Sequence, residues 1–349
     1  MLPNCWLILF PSYAIIVIEI QRGYCMMSIG STIKKLRTIN RISQKEMSEK
    51  LSVSCQTISK WETGRSYPDI EKLPEIADFF HVTIDTLFQG NVEDFNETLT
   101  NAEKGYLEEN KTWWDQSISK DWNGTILPNC GPYTPCEDEL KLFGNMKDKA
   151  VLELACGNGR SLLYQAEQGA KELYGLDISE IQIADAKKKF ADKHINAKLF
   201  ISPMEINPGI PFHHFDYVYS IYGIGWSQDI NKVFSLVSRY LKANGIFIFS
   251  WDNPLLPCLE SQNGQYVLSR SYEEEQMIRI KKFGMEMNLR NWKISSYINA
   301  LIDNGMEIEK FVEASAHYER NAEYSERYYS AHRAALINHS FVIKARKRH

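Results

Sequence analysis

No two of the seven cysteines in this 349-residue chain form a C-x-x-C pair; they stand at 5, 25, 55, 130, 136, 156 and 258. Without that spacing a cysteine zinc site has no support, and no metal is expected. An odd number of scattered thiols suits a reducing compartment, so the expected location is the cytoplasm. Charge of one sign is lacking too. Forty basic residues against 44 acidic ones leave a net charge of -4, so any surface for nucleic acid must be local. Internal repeats and low-complexity segments are absent. No apolar run reaches the roughly 20 residues of a spanning helix. The longest, "CWLILFPSYAIIVI" from Cys5 to Ile18, is interrupted by Pro11. No Lys or Arg precedes it and no A-x-A pattern follows, which removes the marks of a signal peptide. Met26 and Met27 stand just before the first segment with domain-like periodicity. Residues 1–27 therefore read as a leader from a start codon assigned too early. The alternative is a membrane tether, with Arg22 and Lys34 kept on the cytoplasmic side.

What remains is ordinary globular composition, 44% hydrophobic and 24% charged, in a length that suits two or three domains. Residues 28–90 show helical periodicity with short breaks. In "IGSTIKKLRTIN", Ile29, Ile33 and Leu36 share one face and Lys34, Lys35 and Arg37 lie on others. "SQKEMSEKL" starts with Ser43 and carries Glu46 three positions on, a capping box, with Met47 and Leu51 inward. "SCQTISKWE" takes Ser54 as its cap and turns Ile58 and Trp61 inward. Two short helices follow, with Asp69 and Thr83 as caps. Five helices in about 60 residues make a small all-α bundle. Residues 28–65 hold eight basic residues against Glu46, Glu49 and Glu62. That is the local positive charge that phosphates require, with amide side chains available for base edges.

The helices over 43–51 and 54–63 have helix-turn-helix spacing. The span 29–88, and above all "QKEMSEKLSVSCQTISKWETG", resembles the phage-repressor/Cro type of helix-turn-helix, the XRE family. The resemblance implies a sequence-specific DNA-binding transcriptional regulator domain over 28–90. It implies that Gln44 anchors to phosphate and that Ser54, Gln56, Thr57, Ser59 and Lys60 lie at the major groove or its rim. It implies a second copy on DNA, a homodimer reading two half-sites. Cys55 stands where the family commonly carries arginine, which removes a contact with phosphate or guanine. The alternative is a helical bundle that binds protein, with the basic residues as a solvated face.

Residues 91–110 are polar and acidic and read as a linker or a loosely packed connecting helix. From 111 to 349 strands and helices alternate, which means a parallel sheet with helices on both faces. The expected helices end at Gly169, Gly245 and Gly305, and the last two strands are expected to form an antiparallel edge. In "VLELACGNGR" (Val151–Arg160) a strand runs into Gly157 and Gly159, where a missing Cβ lets backbone approach a ligand. Asp177 ends the next strand, 20 positions after Gly157, where a carboxylate grips ribose hydroxyls. The third glycine of a dinucleotide fingerprint is missing, because Leu162 fills its place. Glu153 beside the turn repels a pyrophosphate and suits a cation. S-adenosylmethionine carries a sulfonium and an amino group, both positive. These features, with "YGLDIS", "FDYVYSIYGIGW", "LKANGIFIFSW", "MEIEKFVE" and "HSFVIKARK", resemble a class I S-adenosylmethionine-dependent methyltransferase of Rossmann-like α/β fold. The resemblance implies that Glu153, Cys156, Gly157 and Gly159 line the methionine part of the cofactor. It places Asp177 at the ribose, Ile178 under the adenine, and Met204 and Glu205 at the adenine amino group. Ser220 and Ile221 would sit at the mouth. Pro203 stands where an acid commonly precedes the adenine pair.

The acceptor is less legible. His213, His214, Tyr222, Trp226 and Asp229 fall near the expected mouth, and none is assigned a catalytic role. "WDNPLLP" resembles the Asn/Asp-Pro motif of DNA adenine methylation but follows the fifth strand rather than the fourth, so nucleobase methylation is not expected. Two inserts are the candidate substrate face. The first has Trp113, Trp114, Trp122 and Tyr133; the second covers 255–292. Aromatic walls suit a small organic acceptor; the bland alternative is that the tryptophans pack a helix on the sheet. Two functions stay open. One is a small-molecule methyltransferase fused to a transcriptional regulator. The other is a regulator whose methyltransferase fold only senses S-adenosylmethionine or a metabolite.

Overall fold

The computed structural model describes residues 29–39, 42–80, 84–89, 101–116, 127–282 and 285–348. The leader over 1–27, Arg41, Thr83 and Trp122 lie outside them. The chain divides into two units, Met1–Asp94 and Phe95–His349.

In the first unit, helices α1 (Ile29–Ile39), α2 (Gln44–Lys50), α3 (Cys55–Glu62), α4 (Leu73–Phe80) and α5 (Ile84–Gln89) are described, with a 3-10 turn at Ile70–Lys72. Ser43 and Glu46 form the expected capping box: Ser43 Oγ accepts from the Glu46 N–H, and the Glu46 carboxylate accepts from the Ser43 N–H. Ser54 caps α3 by accepting from the Thr57 N–H at 3.1 Å. Asp69 makes no side-chain capping bond, contrary to expectation. Ile33, Met47, Leu51, Ile58 and Trp61 meet in one core, so the apolar stripes of three helices face each other. A Cβ on Gly30 would lie 1.8 Å from the Trp61 carbonyl oxygen, so only glycine lets α1 approach α3 this closely.

The second unit opens with α6 (Asn101–Gln116), which runs across the expected end of the linker at 110. Next come α7 (Glu137–Leu140), β1 (Ala150–Leu154), α8 (Arg160–Glu167), β2 (Glu172–Asp177), α9 (Glu180–Asp192), β3 (Lys198–Ile201) and β4 (Phe215–Ser220). Helix α10 (Ile230–Tyr240) and β5 (Leu241–Asp252) follow. Two hairpins, β6 (Leu259–Gln262) with β7 (Gln265–Leu268) and β8 (Met277–Lys282) with β9 (Met285–Arg290), occupy the second insert. Helix α11 (Ile294–Asp303), β10 (Met306–Glu313), α12 (Ala331–Leu336) and β11 (Ser340–Lys347) end the unit. Helix α10 stops at Tyr240, not at Gly245. Leu241 is already extended and pairs with Phe215, which draws "LKANG" into the strand.

The seven-stranded sheet has the order β10-β11-β5-β4-β1-β2-β3. Strands β1 to β5 are parallel. Only β11 is reversed, and it lies between β5 and β10 rather than at the rim. Both faces are covered, as a parallel sheet requires. Alternate residues of β1 feed two separate cores: Leu152 and Leu154 pack with α10 and α11, and Val151 packs with Leu162 and Phe190 on α8 and α9. Among the described residues no helix is long and apolar enough to cross a membrane.

Candidate functional site

The strand order reverses direction between β1 and β4, and ligands of open α/β sheets bind at the carboxyl end of such a switch point. A cavity of about 310 Å³ lies there. Its floor is the turn after β1. Ala155, Gly157 and Gly159 all have positive φ, 53°, 50° and 76°, so the chain coils tightly and exposes main chain. Asp177 at the end of β2 holds this turn by accepting from the Gly157 N–H at 2.8 Å and the Ser179 N–H at 2.9 Å. Glu153, Cys156, Gly157 and Asp177 line the cavity, and so do Ile178, Met204, Glu205 and Ile221. These eight expected residues are brought together from four strand ends.

The other two are elsewhere. Gly159 is not in the lining. A Cβ there would lie 2.7 Å from the Phe190 ring, so this glycine serves the close packing of α8 on α9. Ser220 is fully buried under Gly223, and its hydroxyl finds no partner. Its neighbours Ile221, Tyr222 and Gly223 line the cavity instead.

The electrostatics favour a cation. Glu153 is 2% exposed, and burial pushes its carboxyl well above the usual range, with Asp177 adding to the effect. Burial raises Asp177 to about 6. Glu205 is raised by burial although it accepts from the Gln228 N–H at 2.7 Å. Three carboxyls that are costly to ionise alone gain from a positive ligand between them. S-adenosylmethionine, as a cation, fits that requirement. Among the described residues no group of His, Cys, Asp or Glu is arranged to hold a metal ion.

Beyond these residues the cavity is walled by Leu107, Asn110 and Trp114 of α6, by Asn129, Gly131 and Pro132, and by Tyr222 and Trp226. Of the first insert, Trp114 faces the cavity, while Trp113 is buried against Met287 and Leu289. The second insert supplies no lining residue among those described; it braces α6 from behind. His213 and His214 precede β4, at the opposite end of the sheet, where His214 pairs with Glu172 at 3.0 Å. Asp229 caps α10. Sequence reasoning picked out Trp114 but missed Leu107 and Asn110, which lie in the 91–110 segment and show only a weak apolar stripe.

In the first unit, Gln56 and Lys60 are exposed and Thr57 and Ser59 half-buried along α3, and Ser54 is exposed while its hydroxyl serves the helix cap. Gln44 Nε2 donates to Glu62 at 2.8 Å, which engages one of the two N–H bonds of that amide and leaves the other. Arg37, counted above with the basic face, grips the same buried carboxylate at 2.5 and 3.0 Å. Burial works to raise Glu62, but the bonds from Arg37 and Gln44 outweigh it and hold the carboxyl below its usual value. Cys55 is exposed at the first turn of α3, 3.1 Å from Ser48 Oγ.

Comparison with known proteins agrees with both halves. Residues 151–245 match the family model described as a methyltransferase domain, and residues 33–87 match the model described as a helix-turn-helix. A Haemophilus influenzae protein of uncharacterised function is 27% identical over 188 residues, covering 50% of this chain and 73% of its own. The HTH-type transcriptional activator BcrR of Enterococcus faecalis is 44% identical over 64 residues, 18% of this chain; the match spans 31% of BcrR. A solved structure from Listeria monocytogenes, of the S-adenosylmethionine-dependent methyltransferase group, superposes with TM-score 0.52 and 22% identity. It covers 61% of this chain and 96% of its own, and shows the shared fold. The chain thus joins a helix-turn-helix domain to a methyltransferase domain.

Proposed function

We propose that the protein methylates a small molecule in the cavity of its second unit, and that its first unit places it at specific DNA sites as a transcriptional regulator. S-adenosylmethionine supplies an activated methyl group on a sulfonium. Asp177, Glu153 and the turn at Gly157 would orient it, and α6 with the 129–132 segment would exclude water. Methyl transfer is an in-line displacement, so alignment inside an enclosed site supplies much of the acceleration.

One observation carries the enzyme reading over a sensor of cofactor alone; a sensor of a metabolite is separated by product release. Besides the residues expected to hold the cofactor, the cavity has space walled by three aromatic rings, Trp114, Tyr222 and Trp226. A sensor of cofactor alone has no use for that space. Acids outnumber the single base Arg160 among the lining residues, which favours a neutral or cationic acceptor over a phosphorylated one. The working place is the cytoplasm, and the DNA-bound form is a homodimer, as the helix-turn-helix resemblance implies. The domain limits are 28–90 for the first and, with α6 counted as a wall of the cavity, 101–349 for the second. The test is release of S-adenosylhomocysteine by purified protein across a broad panel of small acceptors. Release is expected with at least one. Tight cofactor binding with no release from any acceptor returns the sensor reading. A cocrystal with S-adenosylhomocysteine would outline the acceptor by the space beside its sulfur.

A further inference from the structure

The methyltransferase reading above leaves one cluster unexplained, at the end of β5 beside the aromatic end of the cavity. Asp252 is 1% exposed. Three phenols reach its carboxylate. Tyr222 donates to Oδ1, Tyr329 lies 2.8 and 3.0 Å from the two oxygens, and Tyr328 lies 3.3 Å from Oδ2. The Tyr222 and Tyr329 hydroxyls are 2.7 Å apart. A buried carboxylate is a poor device for stability, since well-packed apolar groups serve as well. Gathered against a cavity, it is a candidate for chemistry.

Tyr222 connects this cluster to the cavity, because it is the member that lines it. It is held in place from three sides. Its N–H donates to Ser250 Oγ at 2.9 Å, its hydroxyl meets Asp252, and its ring edge faces Gly131, where a Cβ would come within 2.7 Å. It keeps a φ of 58°, a left-handed backbone that a bulky residue adopts only where its surroundings fix it. His339 lies behind, fully buried between Tyr133 and Tyr329, with ring centroids 5.3 and 5.6 Å away. Burial lowers it to about 4, so it stays neutral and adds no cation beside Asp252. Arg333, Cys258 and Tyr297 are further ionisable groups that act on the cluster.

We propose that Tyr222 meets the methyl acceptor and that Asp252, a positioning residue, draws the acceptor's proton through it. The acceptor is then a hydroxyl or N–H compound that must lose a proton as it is methylated. Its lone pair forms the new bond to the methyl carbon, and the carbon–sulfur pair stays on sulfur as a thioether. Its proton moves to Tyr222 Oη while the Tyr222 proton moves to Asp252. Aromatic walls and a phenol relay favour a planar hydroxyl compound such as a phenol.

The test uses full-length protein, Asp252→Asn and Tyr222→Phe with methyl-tritiated S-adenosylmethionine. Acceptors are matched phenols and thiophenols together with the small-molecule fraction of the source cells. Thiophenols are already ionised near pH 8 and need no base. Transfer to phenols should fall about 100-fold or more in both variants. Transfer to the matched thiophenols should change by only a few-fold, and S-adenosylhomocysteine affinity by calorimetry should match wild type. Equal loss with phenols and thiophenols, or full retention with phenols, overturns the relay. Absence of transfer by wild type to any acceptor, with affinity intact, overturns instead the enzyme reading on which it rests.

Discussion

Asp177 carries two duties that separate with pH. It holds the glycine turn through two backbone N–H groups, and it is placed to accept ribose hydroxyls. Its carboxyl is raised from 3.8 to about 6 by burial. An acid raised in the folded state stabilises the fold below its unfolded value and loses that contribution as pH climbs through the folded one. The cofactor-free protein should therefore lose stability between pH 3.8 and about 6, seen as a falling melting temperature across buffers. Cofactor affinity should move the other way and rise through the same window, because the ionised form accepts hydroxyls and attracts a cation. Asp177→Ala should weaken cofactor binding roughly 10- to 100-fold, the worth of a hydrogen bond to a charged group. Unchanged affinity by calorimetry would remove Asp177 from the site. At this scale the sequence was informative where partners are local. Gly157 and Asp177 announce themselves by spacing across one βα unit. The Asp252 cluster does not, because Tyr222 lies 30 positions before it and Tyr329 lies 77 after. Only the pairing of β4, β5 and β11 brings them together.

Single helices depend on side chains beyond their own stripe. Helices α1, α2 and α3 are tied by one buried carboxylate, Glu62, which takes Arg37 from the first and Gln44 from the second. Removing one partner of such a pair leaves the other half-buried and uncompensated, at a cost of about 3–5 kcal/mol. A domain of some 60 residues has little stability to spare. Glu62→Ala should therefore lower the unfolding temperature of the first unit while the second keeps its own transition, so that calorimetry shows the first step earlier than in the parent. The capping box at Ser43 and the inward faces were readable from periodicity, because caps and stripes are properties of seven or eight neighbouring residues. The link from Arg37 to Glu62 was not, since it spans 25 positions. For the same reason α10 was read too long. Its periodic pattern ran on through "LKANG", and only pairing with Phe215 shows that Leu241 belongs to a strand.

At the scale of the molecule, the net charge of -4 and the basic first unit make opposite demands on DNA. Attraction arises from local phosphate contacts, so affinity should fall steeply and linearly in the logarithm of salt concentration. Gln56→Ala should cost about 1–3 kcal/mol on the preferred sequence and little on random duplex. A gel shift indifferent to both salt and this change would discard the repressor-like reading. The order of domains was legible because each has a compact signature. The shape of the cavity was not, because α6 meets it from outside the motif-bearing segment. That helix has one further effect. Asn110 donates to the main-chain oxygen of Asn288 at 2.8 Å and accepts from its N–H at 3.2 Å. A side-chain amide thus stands in for a neighbouring strand along the outer side of β9. An uncovered strand edge is a template on which another chain can add itself. Asn110→Ala should bare that edge, and light scattering of the concentrated protein should register growing assemblies. Colony yield and shelf life of the purified protein would then hinge on a residue that no reading of its chemistry would single out.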